Sequence, residues 1–298
     1  MANHKKKQIY KEWWFYGIIV AILAAAYFIN NNSLAEGKEF ESDHEIHLFT
    51  REAGSGTRSA FIDVANIVND NGDDLLTPMA TVQNSTNATM QAVASDSHAV
   101  SYISLGSLNK TVKAIAVNGI EPTVENIQNS DYLLVRNFSV THGNELSELA
   151  QDFWNFMFTK QAQELVSEDG YVPIDLDAPE YTPSELSGSV SIVGSTSVEP
   201  TIQRFAERYT SLNPNVRIDI TAPGSGAGIT AAIDGSADIG MTSRDPSPDE
   251  SDDLIDTKAI AVDGIVLIVN NKNPIENIHL DEIRGIYLEK YTHWNEIF

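Results

Sequence analysis

The sequence predicts an α/β fold, and three observations carry that expectation. Apolar strand-like runs alternate with helical periodicity from residue 45 to the end of the 298-residue chain. Several of those runs end in a glycine-and-hydroxyl cluster that opens a helix. The composition, 42% hydrophobic and 20% charged, is that of a globular chain with a core sufficient for one or two domains.

The first element is apolar. Lys5, Lys6, Lys7 and Lys11 precede WWFYGIIVAILAAAYFI, 17 uncharged residues at 13–29. Trp13, Trp14, Tyr16 and Tyr27 stand where interfacial aromatics belong. Residues 1–30 are therefore expected to be a cytoplasmic basic tail and a single-pass transmembrane helix, with the rest of the chain extracellular. Ala24 and Ala26 offer a signal-cleavage alternative, but bulky Tyr27 and Phe28 continue the apolar run. Residues 31–44 read as a polar spacer.

EIHLFT at 45–50 then reads as a strand, REAGSGTR at 51–58 as a tight loop, and AFIDVANIV as a helix. Asn84 to Thr86 supply capping side chains for a helix with Met90 and Val93 on one face, and AVSYISL follows as a strand. YLLVRNFS at 132–139 is expected to be a strand. The long helical stretch after it carries Phe153, Trp154, Phe156, Met157, Leu165 and Val166 on a core-facing side. Residues 175–188, with Pro179 and Pro183 and no periodicity, read as a linker. VSIVGSTSVEP and VRIDITA are strands leading to helices, with Pro200 in a first helical turn. AIAVDGIVLIVNNKNP at 259–274 is a strand pair or one bent strand, and LDEIRGIYLEKYTHWNEIF closes with a helix and a tryptophan-bearing turn.

The glycine-hydroxyl loops carry the chemistry. A helix N-terminus presents unpaired N–H groups and partial positive charge, glycine permits close approach, and hydroxyls add rotatable donors. Thr196 and Ser197 after Gly194, Ser225 between two glycines, and Ser55, Gly56 and Thr57 after Gly54 share this design. Arg51 adds a fixed charge suited to an oxyanion. A serine before a helix is commonly just a cap, so it is the convergence of three such loops at strand ends that points to a ligand. The net charge of −23 disfavours nucleic acid. It does not forbid one bound anion, because distant charges are screened within about 8–10 Å. The absence of cysteine excludes disulfides, thiolate metal sites and a lipidated cysteine. No metal-ligand spacing occurs, and no cofactor is implied.

VGSTSVEP, APGSGAGITAAIDGSADIGMTSRD, AIAVDGIVLIVNNKNP, HWNEI, REAGSGTRSAF, AVSYISLGSL, VNGIEPTVENI and DGYVPI together resemble the phosphate-binding proteins of ABC transporters, which have the type 2 periplasmic-binding-protein fold. The resemblance spans nearly all of 45–298, but with its second half first, so it implies a circularly permuted unit. Residues 175–188 would then join the family's usual termini. It further implies two lobes with hinge strands, lobe A over 136–262 and lobe B over 45–135 plus 263–298, closing on phosphate or another tetrahedral oxyanion. The strands near 259–270 and 131–139 would form the hinge. The implied ligands are Arg51, Ser55, Gly56, Thr57, Thr196, Ser197, Ser225 and Ser243, and the implied partners are permease subunits in the membrane.

Ser243 stands near the place where phosphate-selective relatives carry an aspartate, which leaves selectivity over sulfate open; Asp245 is an alternative acceptor or a solvated turn residue. The acid found near the arginine in some relatives is missing at Ala53, with Glu52 beside it. Other readings are an oxyanion sensor or scaffold, a chain whose halves swap with another copy, and a hydrolase using Ser55 or Ser197. Neither serine lies in a nucleophile elbow, and the seven histidines form no relay spacing, so no enzyme is expected. His44, His47 and His293 read as solvated surface residues near the junction of the permuted ends.

Overall fold

A computed structural model describes residues 40–69 and 71–298, and the compact unit Ser42–Phe298 is the fold described below. The expected transmembrane segment at 13–29 lies outside the described residues. Among those described, no helix is long and apolar enough to cross a membrane.

The elements run β1 (His47–Arg51), α1 (Gly56–Val64), β2 (Thr81–Gln83), α2 (Thr86–Ser95), β3 (Ala99–Ser104), β4 (Val112–Ala114), β5 (Ala116–Val117), α3 (Val124–Gln128) and β6 (Val135–His142). There follow α4 (Glu148–Phe156), α5 (Lys160–Glu168), β7 (Val172–Pro173), β8 (Gly188–Gly194), α6 (Glu199–Leu212), β9 (Val216–Thr221), α7 (Ser225–Asp234), β10 (Ile239–Thr242), α8 (Pro248–Asp252), β11 (Asp256–Asn270), β12 (Asn277–Ile278) and α9 (Leu280–Tyr287).

The main sheet has the order β2-β1-β3-β11-β6-β10-β8-β9. β1 runs parallel to β2 and β3, and β8 runs parallel to β9 and β10, as strand-helix-strand connections require. The 259–274 region is one long strand as far as Asn270, not a strand pair. β11 pairs with β6 over Asp256–Gly264 and with β3 over Ile265–Val269. It thus belongs to two half-sheets, and each half has its own core. Phe138, Phe153, Phe156, Ile192, Phe205, Tyr209 and Met241 form one; Met90, Val93, Ile103, Val266 and Ile268 form the other. We call the half with β6 to β10 lobe A and the half with β1 to β4 lobe B.

Three local expectations shift. The strand expected at 132–139 starts at Val135 and runs to His142, while Tyr132, its hydroxyl on the Ile265 carbonyl at 2.9 Å, is fully buried ahead of it. The stretch after it splits into α4 and α5 at Met157–Thr159, because the Thr159 hydroxyl donates to the Phe156 carbonyl at 2.7 Å and competes with helix continuation. Residues 175–187 form neither helix nor strand, yet they are tied down: Tyr181 Oη donates to Asp152 at 2.6 Å and the Ser184 N–H to Asn213 Oδ1 at 2.9 Å.

The two ends of the unit meet. Glu45 and His293 form an antiparallel bridge. The Ile46 N–H donates to Thr292 O at 2.7 Å, and the Trp294 N–H to His44 O at 3.2 Å. Trp294 is fully buried at this junction.

Candidate functional site

β1 ends in a loop that turns into α1, β8 ends before α6, and the β9 and β10 loops flank α7, so all four bring polar side chains to the seam between the half-sheets. Gly194 is needed there for two reasons. Its φ is +151°, and a Cβ on it would lie 1.9 Å from the Met241 carbonyl oxygen. Gly56 allows α1 to start against the other lobe, since a Cβ on it would come within 2.4 Å of Ser225 Oγ and 2.6 Å of Ser243 Oγ.

At this seam Arg51, Ser55, Thr57, Thr86, Ser195, Ser197, Ser225 and Ser243 are all buried. Arg51, only 2% exposed, donates from Nη2 to Thr196 Oγ1 at 3.0 Å and from Nη1 to Thr86 Oγ1 at 3.3 Å. Its Nε and Nη2 also fork onto Glu52 at 2.9 and 2.8 Å, and Nε reaches the Gln83 carbonyl at 3.2 Å. Glu52, adjacent to the arginine, is thus the carboxylate paired with it.

The hydroxyls then form two linked groups. Ser197 shares hydrogen bonds with Thr57 at 2.9 Å and Thr86 at 3.2 Å. Ser243 shares them with Ser195 at 2.9 Å and Ser225 at 3.3 Å, and its N–H donates to Ser225 Oγ at 3.1 Å. Thr57–Ser197, Thr86–Ser197 and Arg51–Thr196 cross between lobes, as does the Gly226 N–H to the Gly54 carbonyl at 3.1 Å. The lobes are clamped on one another through polar atoms. Behind the cluster, Tyr102 bonds Thr50 at 2.6 Å, and burial pushes its hydroxyl up to about 12, so it stays neutral beneath Arg51.

Of the residues expected from sequence, Arg51, Gly56, Thr57, Thr196, Ser197, Ser225 and Ser243 come together here. Ser55 is buried beside them, but its hydroxyl accepts from the Arg58 N–H at 3.4 Å as the α1 cap. Asp245 is exposed and outside the cluster. Thr86 and Ser195 were missed as site residues. The signal for Thr86 lay in QNST, a strand-to-hydroxyl-to-helix junction like the others, where Ser85 makes the cap bond to the Ala88 N–H at 3.1 Å and leaves Thr86 free to face Arg51.

Chemically, the cluster is a dry set of rotatable donors around one guanidinium, suited to holding an oxyanion. His142 bonds the Asn144 carbonyl at 2.9 Å, while His44 stacks on His98 with centroids 4.5 Å apart, near the junction of the ends. Among the described residues no group of three or more His, Cys, Asp or Glu is placed to hold a metal ion.

A shared long strand, two half-sheets with parallel strand-helix units and a polar seam define a two-lobe binding protein. Residues 179–297 match the family model described as a PBP superfamily domain. The chain is 41% identical over 255 residues to phosphate-binding protein PstS 2 of Streptococcus pneumoniae serotype 4, covering 85% of this chain and 87% of that protein. It is 33% identical to phosphate-binding protein PstS of Bacillus subtilis over 116 residues, 37% of this chain and 38% of that one. The crystal structure of a phosphate ABC transporter's phosphate-binding protein from S. pneumoniae TIGR4 superposes with a TM-score of 0.69 at 40% identity, covering 86% of this chain and 100% of that one. The chain belongs to the PstS family of phosphate-binding proteins, and the relatives it matches are named as binding proteins rather than enzymes.

Proposed function

We propose that this protein captures inorganic phosphate between its lobes by hinge closure and delivers it to the permease subunits of an ABC transporter. The observation that carries this reading is the buried Arg51, which besides its pairing with Glu52 reaches neutral hydroxyls contributed by both lobes. Its ligands are Arg51, Ser55, Gly56, Thr57, Thr196, Ser197, Ser225 and Ser243, joined by Thr86 and Ser195. On binding, hydroxyl-to-hydroxyl bonds are exchanged for hydroxyl-to-phosphate bonds, and each charge-assisted bond contributes about 1.5–3 kcal/mol. The Ser243 hydroxyl either accepts a hydrogen bond from the P–OH of hydrogen phosphate or donates one to a fully ionised oxyanion, so discrimination against sulfate depends on how its neighbours orient it.

In this reading residues 13–29 tether the unit to the membrane, with the N-terminus cytoplasmic and the lobes outside. The unit is a circular permutation of the commoner order of this family, with 175–188 spanning the former termini. Two observations support the permutation. The ends meet at Glu45 and His293, and the B. subtilis relative aligns along only 38% of its length.

Calorimetric titration of the full-length chain with phosphate and then sulfate tests the function, with Arg51→Ala as control. Phosphate binding that disappears in the variant is expected. A folded wild-type chain that gives no heat with phosphate would remove the reading.

A further inference from the structure

The second buried arginine is not part of the cluster. Arg136 on β6 stands directly opposite Asp263 on β11, at the point where β11 changes partners and Ile265 pairs with Ser104 of β3. Asp263 Oδ2 accepts from Arg136 Nε at 3.0 Å and Nη2 at 2.9 Å. Its Oδ1 accepts from Ser104 Oγ at 2.8 Å and from the Leu105 N–H at 3.1 Å. One carboxylate thus takes two donors from each lobe. The remaining Arg136 nitrogen, Nη1, points at the Ser243 carbonyl at 3.5 Å, a long charge-dipole contact. Ser243 is the residue on which Ser195 and Ser225 converge.

A buried ion pair is a weak source of stability, because desolvating both charges offsets most of their attraction and an apolar pair of similar shape serves as well or better. Its geometry here does something an apolar pair would not do: it connects both lobes to the backbone of the anion loop. Resting on the phosphate reading above, we infer that Arg136 and Asp263 are positioning residues for anion capture. They lock the strand crossover and hold the Ser243 carbonyl, so that the Ser243, Ser195 and Ser225 hydroxyls are aligned when the lobes close. Loss of the pair therefore speeds release of the bound anion more than it slows entry.

The test compares the full-length wild type, the double variant Arg136→Met/Asp263→Leu and the single variant Arg136→Lys by thermal melting, calorimetry and stopped-flow phosphate binding. The double variant is expected to melt close to wild type while its phosphate Kd weakens by about tenfold, mostly through koff. Arg136→Lys keeps the charge beside Asp263 but has no second nitrogen for Ser243, and an intermediate loss of about threefold with little change in Tm is expected. A folded double variant with wild-type Kd and koff overturns the inference. If the double variant does not fold, wild-type binding by Arg136→Lys overturns it instead. A folded wild type that binds no phosphate overturns the functional reading and this inference together, whereas binding by wild type with unchanged variants overturns the inference alone.

Discussion

Two buried arginines about the same seam are partnered in opposite ways. Arg136 is matched by a fully buried carboxylate with all its lone pairs taken, whereas Arg51 leans on a part-exposed Glu52 and otherwise on neutral hydroxyls. Charge that is neutralised inside the fold serves geometry. Charge that is shared between a part-exposed carboxylate and neutral hydroxyls of both half-sheets keeps capacity for an added anion. On the proposed reading the same residue type is a pivot in one place and a ligand in the other, and only its partners distinguish the two roles.

The sharpest way to break this comparison is to remove each guanidinium alone. Arg136→Ala leaves the Asp263 charge buried without its partner, and a loss of about 3–5 kcal/mol of stability is expected in denaturant melts. Arg51→Ala should instead leave the fold in place and weaken phosphate binding by a hundredfold or more, about 3 kcal/mol by calorimetry. If both variants lose stability equally, the distinction between pivot and ligand fails.

Smaller changes sharpen it. Gly56→Ala would push a methyl to 2.4 Å from Ser225 Oγ, so closure should suffer and affinity fall by about tenfold, with a Tm near wild type. Thr86→Val removes one neutral partner of Arg51 and keeps the shape; a loss of about 1 kcal/mol in phosphate binding is expected, read by the same titration. The smallest effect lies away from the seam. The Arg244 guanidinium beside Glu250 holds its carboxyl below the usual carboxylate range. Its stabilisation is present above the unfolded value of about pH 4.3 and is lost as pH falls through the lowered folded value. The acid limb of a Tm-against-pH curve should therefore flatten in Glu250→Gln.

Much of this was legible along the chain, because caps, periodicity and tight loops are local. REAGSGTR, GSTS and PGSGAG each announce a strand end turning into a helix, since hydroxyls and glycine are what such a turn requires. Arg51 stood out for the same reason, as the cation that opens such a loop. The break between α4 and α5 was less legible, because a single threonine decides it against a continuing apolar face.

By itself, then, the sequence determined the strand-loop-helix units, the hydroxyl loops and the family they resemble. Only the tertiary structure decided which loops share a seam. Arg51 meets Thr196 across 145 residues of chain and Arg136 meets Asp263 across 127, and no local pattern encodes such pairs. They follow from the order β3-β11-β6, in which one strand serves two half-sheets and carries a buried carboxylate to their crossing. That Arg136 faces Asp263 depends on strand register, a property of the assembled sheet rather than of any segment in it.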